Sequence, residues 1–182
     1  MRSALAALLL SAAPAFGAGL EIDIAGEANG TITVDLFEQS APMHAERITT
    51  LASEGAYDDV VFHRVIQGFM AQTGDVEHGK LGQDMRRAGM GGSDLPDLPA
   101  EFSGTLNFDR GVVGMARSSQ PNSANSQFFI MFAPAPHLNG QYTIVGQVTG
   151  GMDVVDAIKL GRGANGAVIG EPDRMVAVRV TD

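Results

Sequence analysis

Apolar and polar residues alternate along Leu20-Glu21-Ile22-Asp23-Ile24 and again along Ile32-Thr33-Val34-Asp35-Leu36, with Asn29-Gly30 between them. A period of two puts one side of each run against a core, so the pattern predicts an opening β-hairpin. The period then changes. Ala45, Ile48 and Ala52 recur at helical spacing, Ser40 is the predicted N-cap, Pro42 falls in the first turn and Gly55 is the stop. These signals predict a helix over residues 41–54. Val60-Val61-Phe62 and Phe69-Met70-Ala71 read as short strands, and residues 76–97, rich in Gly and charge, as a long surface loop. Residues 111–115 and 127–132 have the composition of buried strands, and the Ser/Asn/Pro-rich stretch from Arg117 to Asn125 between them is a loop. Tyr142 to Val148 is a further strand. Met152, Val155 and Ile158 mark a second helix over residues 151–160, ended by Gly161, and Arg174 to Val180 closes the chain as a strand. About eight strands and two helices result, a β-rich barrel or sandwich, with closure the means of removing exposed sheet edges.

The chain has 182 residues, enough for one domain with a sizeable core, and 45 % of them are apolar. Its net charge of −9 and the lack of any Lys/Arg stripe exclude a phosphate-tracking groove, so neither nucleic acid nor an anionic membrane surface is an expected partner. Arg2, the apolar run Ala4 to Ala13 and the small residues up to Ala18 read as a signal peptide, too short to span a bilayer. A mature chain of residues 19–182 in the periplasm, free of the membrane, is the expectation. The absence of Cys means that no disulfide is needed in an oxidising compartment.

Three segments combine aromatic residues with polar groups that a core does not require. They are Phe62-His63-Arg64-Val65-Ile66-Gln67-Gly68-Phe69-Met70-Ala71-Gln72-Thr73-Gly74-Asp75, the stretch from Gly114-Met115-Ala116-Arg117 to Ser126-Gln127-Phe128-Phe129-Ile130, and Pro136-His137-Leu138-Asn139-Gly140-Gln141-Tyr142-Thr143-Ile144-Val145-Gly146. In this order they resemble the motifs of the cyclophilins, over nearly the whole span from Leu20 to Val180. The resemblance implies a closed eight-stranded antiparallel β-barrel capped by two α-helices, and peptidyl-prolyl cis–trans isomerase activity on proline-containing polypeptides. It implies roles as well. Arg64 falls at the catalytic arginine. Phe69, Met70 and Phe129 fall at the floor of the proline pocket and Leu138 on its wall. Gln72 and Gln127 fall where the substrate backbone is held and the arginine oriented, and Ala116 and Arg117 line the neighbouring groove. Arg117 replaces a frequent Asn, His137 stands where cyclosporin-binding members carry Trp, and Tyr142 where many carry His. Weak cyclosporin binding is therefore expected, and the resemblance favours a monomer.

The chemistry suits these residue types. Turning an X–Pro amide faces a barrier of about 20 kcal/mol and breaks no covalent bond. No nucleophile, metal or cofactor is expected. As resonance is lost the prolyl nitrogen gains a lone pair, and an always-charged guanidinium aimed at it stabilises the twisted state over the planar one. A module that only grips proline peptides could dispense with Arg64, and a holdase would need a large exposed apolar surface. Phe62, Phe128 and Ile130 are assigned to the core. His63 is expected to be a hydrogen-bonded structural residue facing away from Arg64, and His44 to be exposed on the first helix. The four His residues are scattered without metal-ligand spacing. Gly89 to Gly92 lacks the strand–loop–helix context of a phosphate cradle.

Overall fold

The structure is a computed structural model that describes residues 17–181. The signal-peptide reading of residues 1–18 therefore lies almost wholly outside the described residues. The elements in chain order are β1 (Gly19–Ala25), β2 (Gly30–Leu36), α1 (Pro42–Ser53), β3 (Val60–Val61), β4 (Arg64–Ile66), β5 (Met70–Thr73), β6 (Val112–Met115), β7 (Phe128–Met131), a single 3-10 turn (Pro136–Leu138), β8 (Ile144–Gly150), α2 (Met152–Ala157) and β9 (Arg174–Thr181). All nine strands join one sheet in the order β3-β9-β1-β2-β8-β6-β7-β5-β4. Every neighbouring pair is antiparallel.

The fold is mainly β with two α-helices, as the hydrophobic pattern predicts, but it differs from a closed eight-stranded barrel. The sheet has nine strands, and its end strands β3 and β4 share no ladder. The added strand is β4, the one that begins with Arg64. It is three residues long, and with β3 forms one interrupted apolar run in which His63-Arg64 hides any period. The chain bends between β3 and β4, and the segment before β9 covers the gap. Phe62 N–H donates to the Asp173 carbonyl at 2.9 Å, Val65 N–H to the Gly166 carbonyl at 2.8 Å, and Gly161 N–H to the Val65 carbonyl at 2.9 Å. The edge of β4 is thus satisfied by a loop instead of a neighbouring strand.

The first helix has no side-chain cap of its own. Its N-cap is Ala41, with Pro42 at the first helical position, so Ser40 does not serve as the predicted cap. Glu101, far along the chain, does that work. Its carboxylate accepts from the N–H groups of Met43 (3.2 Å) and His44 (3.1 Å) and from His44 Nδ1 (2.6 Å). His44 is consequently buried, not exposed, because its ring turns inward to this carboxylate. The helix ends as predicted at Gly55, whose φ of +68° suits a residue without Cβ. Gly55 N–H bonds the Ala52 carbonyl (3.0 Å) and Ala56 N–H the Leu51 carbonyl (2.9 Å), the paired bonds of a Schellman stop.

Alternation along β7 divides the apolar residues into two groups. Phe128 and Ile130 face the concave side with Ile22, Ile32, Ile48 and Phe62. Phe129 and Met131 face the other side, with Met70, Phe108, Leu138 and Ile144. The Phe128 ring packs edge-on against Tyr57 at 5.7 Å. Each such buried side chain contributes about 1.5–3 kcal/mol of transfer free energy. The first group packs the sheet against Ala45, Ile48 and Leu51 of α1. The second forms the base of a cavity.

Candidate active site

The cavity opens beside the β4–β5 hairpin. Gly68, at φ +68°, lets the chain reverse between Ile66 and Phe69, whose N–H bonds the Ile66 carbonyl at 3.0 Å. The hairpin pairs Arg64 with Gln72 and Ile66 with Met70, and β5 pairs Gln72 with Phe129 on β7. Three neighbouring register positions therefore carry a cation, an amide and a ring on one face. The cavity holds about 160 Å³ and is lined by Arg64, Phe69, Met70, Gln72, Ala116, Arg117, Phe129, Leu138 and Tyr142. Its base is apolar, and Arg64 and Arg117 bring two guanidinium groups to its rim.

Hydrogen bonds fix Arg64 from two sides. Its Nε donates to the Asn165 carbonyl at 2.9 Å, and its Nη1 to Gln72 Oε1 at 3.1 Å, with Met70 Sδ 3.8 Å away. Gln72 Nε2 donates to Gln127 Oε1 at 3.0 Å, and Gln127 Nε2 to the Gly91 carbonyl at 2.7 Å. The donors thus run in one direction from Arg64 to the long loop. That loop is fastened in turn by the buried Asp75 carboxylate, which accepts from Glu77 N–H (3.1 Å), His78 N–H (2.8 Å), Gly89 N–H (2.7 Å) and Gly91 N–H (3.0 Å). Four such bonds satisfy a charge that burial would otherwise penalise.

Of the residues singled out from sequence, nine line this cavity. Gln127 lines an adjoining cavity of about 420 Å³ that shares Gln72, Ala116 and Arg117 with it. His137 is exposed and lines neither, but its ring stacks on Phe69 at 5.8 Å. Gly114 leaves the space that Phe129 fills: a Cβ there would lie 2.6 Å from both the Phe129 and the Phe108 rings. Tyr142 meets Phe129 edge-on at 5.9 Å. The sequence reading passed over Asp75, Gly91 and Asn165. Gly91 and Asn165 act through backbone carbonyls, which no side chain announces; Asp75 stood at the end of the first motif without a role.

His63 faces away from Arg64, as the strand period requires, and lies against Gly89, where a Cβ would come within 2.9 Å of its ring. It is not hydrogen-bonded as anticipated: neither ring nitrogen has a partner among the described residues. Burial holds its pKa down to about 4; the nearby Asp75 carboxylate opposes this and the Arg64 charge reinforces it. Among the described residues no three His, Asp or Glu side chains gather as a metal site.

The sequence model of the family described as "Cyclophilin type peptidyl-prolyl cis-trans isomerase/CLD" matches residues 20–180. The chain belongs to the cyclophilin-type peptidyl-prolyl cis–trans isomerases. A probable peptidyl-prolyl cis-trans isomerase of Brucella suis biovar 1 (strain 1330) is 54 % identical over 154 residues, covering 84 % of this chain and 78 % of that protein. A peptidyl-prolyl cis-trans isomerase-like 1 of Aspergillus fumigatus is 40 % identical over 134 residues, covering 72 % of this chain and 77 % of its own. The crystal structure of a Cryptosporidium parvum cyclophilin-type isomerase superposes with a TM-score of 0.74 at 25 % identity, over 90 % of this chain and 97 % of that one. The same isomerase has also been crystallised in the presence of the dipeptide Ala-Pro. This cyclophilin-like chain is therefore an isomerase whose reaction is cis–trans exchange of X–Pro bonds.

Proposed function

We propose that exchange takes place in the cavity beside β4, with the proline ring on Phe69, Met70, Phe129 and Leu138 and the prolyl nitrogen facing Arg64. The observation that carries this reading is the meeting of an apolar slot with a cation that has no carboxylate partner. Among the described residues the ion pairs involve Arg86, Arg110, Lys159, Arg174 and Arg179, but not Arg64. A salt-bridged guanidinium would have its donors spent in the ground state. Arg64 is instead oriented by neutral acceptors, Gln72 Oε1 and the Asn165 carbonyl, and keeps N–H groups free for a lone pair that exists only in the twisted amide. The apolar base strengthens that interaction by keeping water away. A barrier lowered by about 5–7 kcal/mol would give four to five decades in rate.

The substrates are proline-containing segments of unfolded or flexible chains, and the apolar run Ala4 to Ala13 supports export to the periplasm as the place where they are met. Timing cis-to-trans exchange of a short Ala-Pro peptide with the parent protein and an Arg64→Ala twin of equal thermal stability tests the site. Loss of about 100-fold or more in kcat is expected of the twin. A twin as fast as the parent would move the reaction elsewhere. Cyclosporin should bind weakly, since His137 lacks the indole donor and its ring is engaged with Phe69; calorimetry giving a tight complex would refute this.

A further inference from the structure

Arg117 sits at the junction of the two cavities, lining both. Its Nε and Nη2 donate to the Gln141 carbonyl at 3.2 and 2.8 Å, and its Nη1 to the Ser118 carbonyl at 2.9 Å. Its Cζ lies 4.3 Å from the centre of the Tyr142 ring. The guanidinium is therefore a fixed cation, its position determined by neutral groups and a ring face. It has no ion-pair partner among the described residues, and neither has Arg64. No Asp or Glu lines the smaller cavity; in the larger one the acid is Asp97, whose Oδ1 accepts from Asn125 Nδ2 at 3.0 Å. A chain of net charge −9 thus carries two unneutralised cations at the rim of its proline slot.

We propose that Arg117 is a specificity-determining residue that, with Arg64, selects substrates bearing an acidic side chain next to the proline. A proline seated on Phe129 brings the flanking side chains to the rim, where Arg117 is already immobilised. Little rotamer entropy is lost when a carboxylate meets it, which separates this pair from an ordinary mobile surface ion pair. The whole-molecule field works in the opposite sense, because a net negative protein repels acidic peptides and attracts basic ones. Local and global electrostatics therefore predict opposite preferences, and the experiment distinguishes them. The inference rests on the proposed proline site.

The probes are Ala-Xaa-Pro-Ala and Ala-Ala-Pro-Xaa peptides with Xaa = Glu, Gln or Lys, their exchange followed by NMR exchange spectroscopy. At low ionic strength kcat/KM for Glu should exceed that for Lys about 10-fold in at least one series, shrinking to about 2-fold in 1 M salt, where the screening length is about 3 Å. Arg117→Gln should remove most of the preference, and Arg117→Lys should retain part of it. Arg110→Gln, which removes a cation paired with Asp156 away from the site, should leave the ratio unchanged. Equal rates for Glu and Lys, a preference for Lys, or a Glu preference that survives Arg117→Gln would overturn the assignment. Its failure is separable from that of the site itself: the latter shows as an Arg64→Ala protein that still turns over the Gln peptides at the parent rate, and would overturn both.

Discussion

Arg64 and Gln72 face one another directly across the β4–β5 ladder, and the guanidinium donates to the amide oxygen over 3.1 Å. The amide cannot rotate away, since its nitrogen is committed to Gln127. Gln72→Ala should therefore leave Arg64 charged but less well aimed. Because the loss concerns orientation in the transition state, kcat should fall about 10-fold with KM little changed, which corresponds to about 1.4 kcal/mol. Steady-state kinetics on an Ala-Pro peptide decide it; a rise in KM alone would assign Gln72 to binding.

Gly114 is where packing and site meet. A methyl group there would lie 2.6 Å from two aromatic rings, so one of them must shift. Gly114→Ala should push Phe129 into the slot, cost about 1–3 kcal/mol of stability and raise KM. Urea unfolding read beside peptide kinetics would show both effects, and unchanged values of both would refute the coupling of Gly114 to the slot.

The pH dependence of stability should carry the signature of His63. Its pKa in the folded protein is about 4 against an ordinary value of 6.5, so between those pH values the unfolded chain binds the proton that the folded one refuses. Stability attributable to this group is complete above pH 6.5 and is lost as pH falls towards 4, by about 3 kcal/mol from the size of the shift. Denaturation midpoints measured from pH 7 to 4 should fall, and His63→Gln should flatten that limb. An equally steep limb in the variant would assign it to other groups.

Glu101 caps α1 from the far side of the sequence, and it stands outside the cavity. Glu101→Ala should lower stability by about 1–3 kcal/mol, since two helix N–H groups and the buried His44 ring lose their acceptor. Peptide exchange at a temperature where the variant stays folded should proceed at the parent rate. A large loss of kcat/KM there would link the helix to the site by a route not evident in the hydrogen bonds.

How far each of these features could be read in advance follows from its physics. The period-two runs of β1, β2 and β9 and the helical spacing of α1 were legible because each is long enough to repeat, and Gly55 marked its own stop. Phe128 and Phe129 could be assigned to opposite faces from pleating alone. Which of those faces formed a substrate slot came only from the resemblance of the motifs. β4 was missed because three residues cannot display a period, and the eight-stranded closure failed with it. Ser40 looked like a cap because local sequence was all there was to judge by, whereas Glu101 lies over fifty residues away. The anchors Gly91 and Asn165 were invisible for a deeper reason: a carbonyl oxygen is common to every residue, so its use leaves no mark in the sequence.

The sheet order has a consequence for how the protein is made. β1, the first strand, lies between β2 and β9, the last. β3 pairs only with β9, and the loop that holds Arg64 from behind, through the Asn165 carbonyl, precedes that same final strand. A nascent chain can form the β1–β2 hairpin and the β4–β5 turn early, because their partners are near in sequence. Pairing β1 and β3 with β9 must wait until β9 has been made, and contacts of such sequence separation form slowly. The sheet is therefore completed only once β9 is available, and the arginine acquires its full set of supports late, when the segment carrying Asn165 docks.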